Sequence, residues 1–135
     1  MAFVHGKNTF VSVGGTDLSS FTNQTSYNRS ADSHDVTTYG KNAKVYAAGL
    51  KDGTATITGT YDNGVAGPRA ILRPLIGATN TVTFIFRPEG TGTGKPQDSV
   101  AVFVTAYEET NPVADMVSWS ATLQFSDDVT TTTQA

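Results

Sequence analysis

The chain contains no cysteine. That excludes a disulfide framework, a zinc–thiolate centre and a cysteine nucleophile, and it leaves the redox compartment unread. Long hydrophobic runs are missing too: the longest reach about five residues, against the roughly 20 that a membrane-spanning helix requires. The opening stretch, Met1-Ala-Phe-Val-His-Gly-Lys7, lacks the basic-then-apolar layout of a secretory leader. The expectation is a protein made and kept in a cytoplasm, or in something assembled there, with no membrane partner. Positive charge is sparse, with 9 basic residues against 12 acidic ones and a net charge of −3. Only Lys41 with Lys44, and Arg69 with Arg73, approach clustering, which argues against tight binding of nucleic acid through its phosphates.

What is present is Thr, Val, Ser and Gly, the composition of a β protein with many turns. At 135 residues one domain is expected, over 1–126, and a chain of this size buries a core without metals or disulfides. The clearest strand is "DMVSWSATLQF", residues 115–125. Val117, Trp119, Ala121, Leu123 and Phe125 fall on one side, and Ser118, Ser120, Thr122 and Gln124 on the other. The polar side carries hydroxyls and an amide but no charge, whereas a solvent-facing strand usually carries Lys or Glu against edge pairing. The same pattern recurs at 54–61, where Ala55, Ile57 and Tyr61 oppose Thr54, Thr56, Thr58 and Thr60. Further strands are expected at 8–13, 21–29, 81–87 and 100–107; the last is apolar on both faces and therefore central.

One helix is expected at about 66–77. Ile71, Leu72, Leu75 and Ile76 share a face, Pro68 suits the first turn, Pro74 shortens or kinks the interior, and Gly77 caps the end. Together these give a mainly β (α+β) domain: a β-sandwich or partial barrel with one flanking helix. Trp119 is expected in the core, between the sheet and the helix around Leu72 and Leu75. Residues 30–52 form a long unassigned stretch, of a length that usually has a function. Residues 88–98 read as a flexible connector, and 127–135 as a flexible tail of low complexity that does not order by itself.

Catalytic signals are weak. "GTGTGK" at 90–95 is one residue short of a Walker loop from Gly90, and Pro96 stands where a Ser or Thr is needed. Asp32, His34 and Asp35 lack a second cluster to complete a metal or acid–base site, and His5 stands alone near the terminus. Glu108 and Glu109 are adjacent on a strand, so they point to opposite faces. Asn23-Gln-Thr25 and Asn28-Arg-Ser30 match the glycosylation pattern without a secretory leader to give it weight. The reading is a protein that is not an enzyme, has no cofactor or metal, and packs against copies of itself.

The order of motifs carries a resemblance. "GTDLS" (15–19), "DVTTYG" (35–40), "YAAGLKDGTATITGTYD" (46–62), the helix and "NPVADMVSWSATLQF" (111–125) follow one another as in the major tail tube proteins of long-tailed bacteriophages, over most of the chain. The ending "SDDVTTTTQA" departs from the Gly-rich turn or extra domain that closes many relatives. The resemblance implies a virion structural protein, assembled in the bacterial host cytoplasm, whose hexameric rings stack into a hollow channel for genome delivery. It implies that neighbouring subunits join their sheets into one inner barrel and that a long inter-subunit loop, about 37–51 here, reaches the next ring. Tyr39, Val45, Tyr46 and Leu50 would be its contacts. Thr54, Thr56, Thr58, Thr60, Ser118, Ser120, Thr122 and Gln124 are then candidates for the lumen, where Lys or Arg would bind passing phosphates. Tape-measure protein and transiting DNA, bound without sequence specificity, are the partners implied besides copies of the chain. The alternatives are a tail terminator or connector that forms a single ring, and a small carbohydrate- or cell-binding β domain.

Overall fold

The computed structural model describes residues 3–65 and 67–135. Its strands are β1 (Phe10–Val13), β2 (Thr16–Asp17), β3 (Thr22–Asp35), β4 (Tyr46–Thr60), β5 (Val82–Arg87), β6 (Pro96–Thr110), β7 (Ser118–Phe125) and β8 (Thr130–Thr133); α1 is Pro68–Leu72. They form one antiparallel sheet in the order β2-β1-β5-β6-β7-β4-β3, with β8 set against β6. The fold is mainly β with one short helix, as the residue pattern implies.

Period-two patterning places the core. Trp119, Ala121, Leu123 and Phe125 of β7 are buried, as are Ala55 and Ile57 of β4, Val100, Val102 and Val104 of β6, Phe84 of β5, and Val11 and Val13 of β1. β6 is central: Asp98–Val102 pairs with β5 on one side, while β7 and β8 share the other. A bulge between Val104 and Ala106 shifts its parity, so that odd-numbered residues face inward from Tyr107 onwards. Tyr107 then stacks on Trp119 at 6.3 Å, and Glu109 meets Arg69 of α1 at 2.9 Å.

The sheet curls until its far strand closes over the core. Tyr27 of β3 stacks on Phe86 of β5 at 4.7 Å and donates its hydroxyl to Asp98 of β6 at 2.8 Å. The other oxygen of Asp98 accepts from Thr131 of β8, so one carboxylate ties three strands together. Gly59 permits the closure, because a Cβ there would strike the Phe21 carbonyl. The Trp119 indole N–H is satisfied by the carbonyls of Thr60 and Phe21, at 3.1 and 3.2 Å.

Three expected elements differ from what forms. The helix is α1 alone, followed by a 3₁₀ turn at Arg73–Leu75; Pro74 has no N–H to continue the ladder. Ala66, where the helix was expected to start, lies outside the described residues. Leu72 is buried, Ile71 and Leu75 pack partly against the core, and Ile76 is exposed. The second difference is the tail, where Thr130–Thr133 pairs with Ser99–Pro96 of β6; it is ordered by the strand edge it meets rather than by itself. The third is the segment 88–98, expected to be flexible: 96–98 begins β6, and the rest is fastened to that tail. Gln134 donates to the Gly90 carbonyl and accepts from the Gly92 N–H, and the Gly94 N–H donates to the Gln134 carbonyl.

Candidate assembly surfaces

Residues 30–52 form a projecting hairpin arm. β3 and β4 stay paired out to Asp35 and Tyr46, well beyond Thr54–Gln124, the outermost β4–β7 pair. Six of the residues expected in a 37–51 loop are therefore strand, 46–51, and the loop itself is 36–45. It is closed by the Val36 N–H on the Val45 carbonyl at 2.9 Å and by the Thr37 hydroxyl, which accepts from the Val45 N–H at 2.8 Å. The Asp35 carboxylate accepts from the Thr37 N–H, and bonding to Thr37 lowers its pKa. A register shift between Ala31 and Ser33 carries Gly49 beneath His34, whose Nε2 would lie 2.6 Å from a Cβ at that position.

The arm exposes the apolar side chains named from sequence. Tyr39 is 105% exposed, Leu50 82%, Tyr46 57% and Val45 41%; none reaches the core. Asp32, His34 and Asp35 lie along the same exposed ribbon. Among the described residues no group of three or more His, Asp or Glu is placed to hold a metal ion. At the arm's base a cleft opens, lined by Arg29, Leu50, Asp52 and Phe125, with Lys51 and Asp128 paired across it at 3.5 Å.

The second surface is the outer face of β6-β7-β4-β3. Pairing of β4 with β7 sets Thr54 beside Gln124, Thr56 beside Thr122, Thr58 beside Ser120 and Thr60 beside Ser118. All are half-buried except Thr60, which is exposed. β3 extends the rows with Asn28, Ser26 and Gln24. These three were missed in the sequence, although the nearly all-polar run 21–29 carried the signal. The hydroxyls bond within the face: Thr58 to Ser120 at 3.4 Å, and Thr105 to the Thr122 carbonyl at 3.2 Å. Gln124 donates to Asp52 at 2.8 Å and to the Gly53 carbonyl at 3.0 Å. Glu108, opposite Ser120 on β6, adds a negative charge. The helix does not cover this face, since Leu72 packs into the core on the other side.

Backbone edges flank the face. Among the described residues β3 pairs with β4 alone, and β5 leaves β6 unpaired on its side beyond Val104, which bridges to Ile76. Two further sequence motifs have structural partners here. The N–H groups of Gly92 and Gly94 in the Gly-rich loop, which a phosphate would need, are taken by Gln134. Glu109 anchors the helix through Arg69 and accepts from the Tyr107 hydroxyl at 3.0 Å. Among the described residues no helix is long and apolar enough to cross a membrane.

No protein-family model and no curated protein sequence matches the chain. Solved structures do. A chain in the tail of an empty gene transfer agent particle with C6 symmetry superposes with a TM-score of 0.76 at 13% identity, over 96% of this chain and 99% of that one. A chain of the SPP1 tail tube gives 0.78 at 13% identity, over 98% and 80%. A chain from the extended sheath–tube complex of an extracellular contractile injection system, PVC, gives 0.73 at 16% identity, over 97% and 92%. The fold is therefore that of chains found in tails and injection tubes.

Proposed function

We propose that the chain is the structural subunit of a phage-type tail tube. Copies close into rings, hexameric as in the C6 gene transfer agent tail, and the rings stack into a hollow channel for genome delivery in the virion tail, assembled in the host cytoplasm. The observation that carries this reading is the four-stranded portion β6-β7-β4-β3, with its hydroxyl-lined face and a free edge at each side. Successive strands alternate in direction, so β3 of one copy meets β6 of the next antiparallel, and closing the ring pairs the open N–H and C=O groups where these two edges meet. Sheets that close on themselves have no edges left to aggregate.

The outer face then lines the lumen. Its Ser and Thr side chains hold water and give phosphates no cation to bind, while Glu108 repels them, so DNA and a tape-measure protein pass without being retained. The exposed arm favours stacked rings over the single ring of a terminator or connector. A carbohydrate-binding domain would present its tryptophan, and Trp119 is 1% exposed. Electron microscopy of the purified protein at rising concentration tests the reading. Long hollow tubes are expected; a protein that stays monomeric, or stops at single rings, overturns it.

A further inference from the structure

The arm leaves one end of the sheet, and the opposite end has an exposed apolar surface of its own. The segment after β4, 61–65, and the segment before β7, 111–117, lie together there, joined by the Tyr61 N–H on the Val117 carbonyl at 2.9 Å. Between them they expose Val65 (94%), Val113 (107%) and Met116 (72%). Among the described residues nothing covers these side chains.

Charge says what would. The arm's loop, 36–45, carries Lys41 and Lys44 and no acid. The segments 61–65 and 111–117 carry Asp62 and Asp115 and no base. Nearby, Arg69 is held by Glu109, while Arg73 shares a small cavity with Asp62; with Asp115, this end has three acids to two bases. From Tyr46 to Gly53 the arm extends about 23 Å at the usual strand rise, enough to cross a seam between two bodies. Complementary patches at opposite ends of one molecule make a head-to-tail contact, which runs on as an open stack wherever its rotation does not close a ring.

We infer that the end formed by 61–65 and 111–117 is the socket for the arm of a second copy. Tyr39 and Val45 pack on Val65, Val113 and Met116, and Lys41 and Lys44 face Asp62 and Asp115. The inference rests on the tube reading and supplies its stacking contact.

The cysteine-free chain allows a direct test. Tyr39→Cys and Val113→Cys proteins, one of them isotope-labelled, are mixed, assembled into tubes and oxidised. The mixed disulfide dimer is expected as the main cross-linked product, with little from Tyr39→Cys paired with Thr83→Cys on β5. In parallel, Lys41→Glu with Lys44→Glu should lower tube mass by about tenfold or more, since like charges are then opposed. Adding Asp62→Lys and Asp115→Lys should restore it. Tubes that yield a Tyr39→Cys homodimer, or no mixed disulfide, or no charge-swap rescue, overturn the socket and leave the tube reading standing. Unmodified protein that forms no tubes removes both.

Discussion

β4 is one strand with two environments. From Gly53 to Gly59 every second residue is buried between β3, β7 and the core. From Tyr46 to Lys51 none is buried, and among the described residues β3 is the only strand paired with it. Within one continuous strand, then, 46–51 is held by its pairing with β3 and reaches no core, while 53–59 is fixed by the core of its own chain. A two-stranded ribbon is marginally stable in water without a packed face, so the arm's apolar side chains are suited to association while the body supplies the fold. Stability and assembly should accordingly respond to different residues.

The largest effect should come from Trp119→Ala in the body. It removes the stack on Tyr107 and two indole hydrogen bonds, and the cavity and lost contacts should cost roughly 3 to 5 kcal/mol. Urea denaturation measures this, and a near-native midpoint would show that the closed side of the sheet does not depend on that ring.

A smaller loss is expected at high pH. The Tyr27 phenol is raised above its ordinary value of 10.0, first by burial and then by its bond to Asp98; Tyr107 is raised in the same way, with Glu109 as its partner. In both cases the folded state favours the neutral form. The stability this contributes is fully present below the unfolded value near 10 and is lost as pH rises from there toward the folded values. Denaturation midpoints should fall between pH 9 and 11, and less so in a Tyr27→Phe, Tyr107→Phe double variant. Equal falls in both proteins would remove these phenols from the account.

In the arm, Tyr46→Ser with Leu50→Ser should change monomer stability by under about 0.5 kcal/mol, as exposed substitutions usually do. The same pair should shorten or abolish tubes, because buried aromatic and aliphatic contacts dominate association. Normal tube length at unchanged melting temperature would sever the arm from stacking. Smallest of all should be Ser120→Ala, neutral for both folding and assembly. Ser120→Lys keeps the tubes but should slow DNA delivery by the assembled tail; normal delivery would place Ser120 outside the lumen.

The same division decided what could be read from sequence. β7 was legible because Trp119, Leu123 and Phe125 alternate with Ser120 and Gln124, and only a strand with one buried face leaves that trace. The arm was not, because Thr22–Asp35 has no buried face beyond Tyr27 and so no period to detect. On β6, Val102-Phe-Val-Thr-Ala-Tyr107 is apolar on both sides, which concealed the bulge that turns Tyr107 inward. The helix was overextended because Ile76 continues the apolar stripe past Pro74. The exposed arm residues proposed as loop contacts, and the hydroxyl rows, came from residue pattern and family resemblance together; Gln24, Ser26 and Asn28 joined the rows only once register was known. Gln134 was invisible, since a single amide fastening a Gly-rich turn has no local signature.

That fastening brings distant parts of the backbone together. A Cβ on Gly90 would clash with the Asn8 carbonyl, and the Gly90 carbonyl accepts the Gln134 amide, so residues 8 and 134 flank a single glycine. A short linker from Asn8 to Gln134 would close the backbone between them into a circle. A new opening at Gly40, whose positive φ and empty surroundings mark a tolerant turn, would then give a circularly permuted subunit that keeps the same core and starts and stops at the tip of the arm.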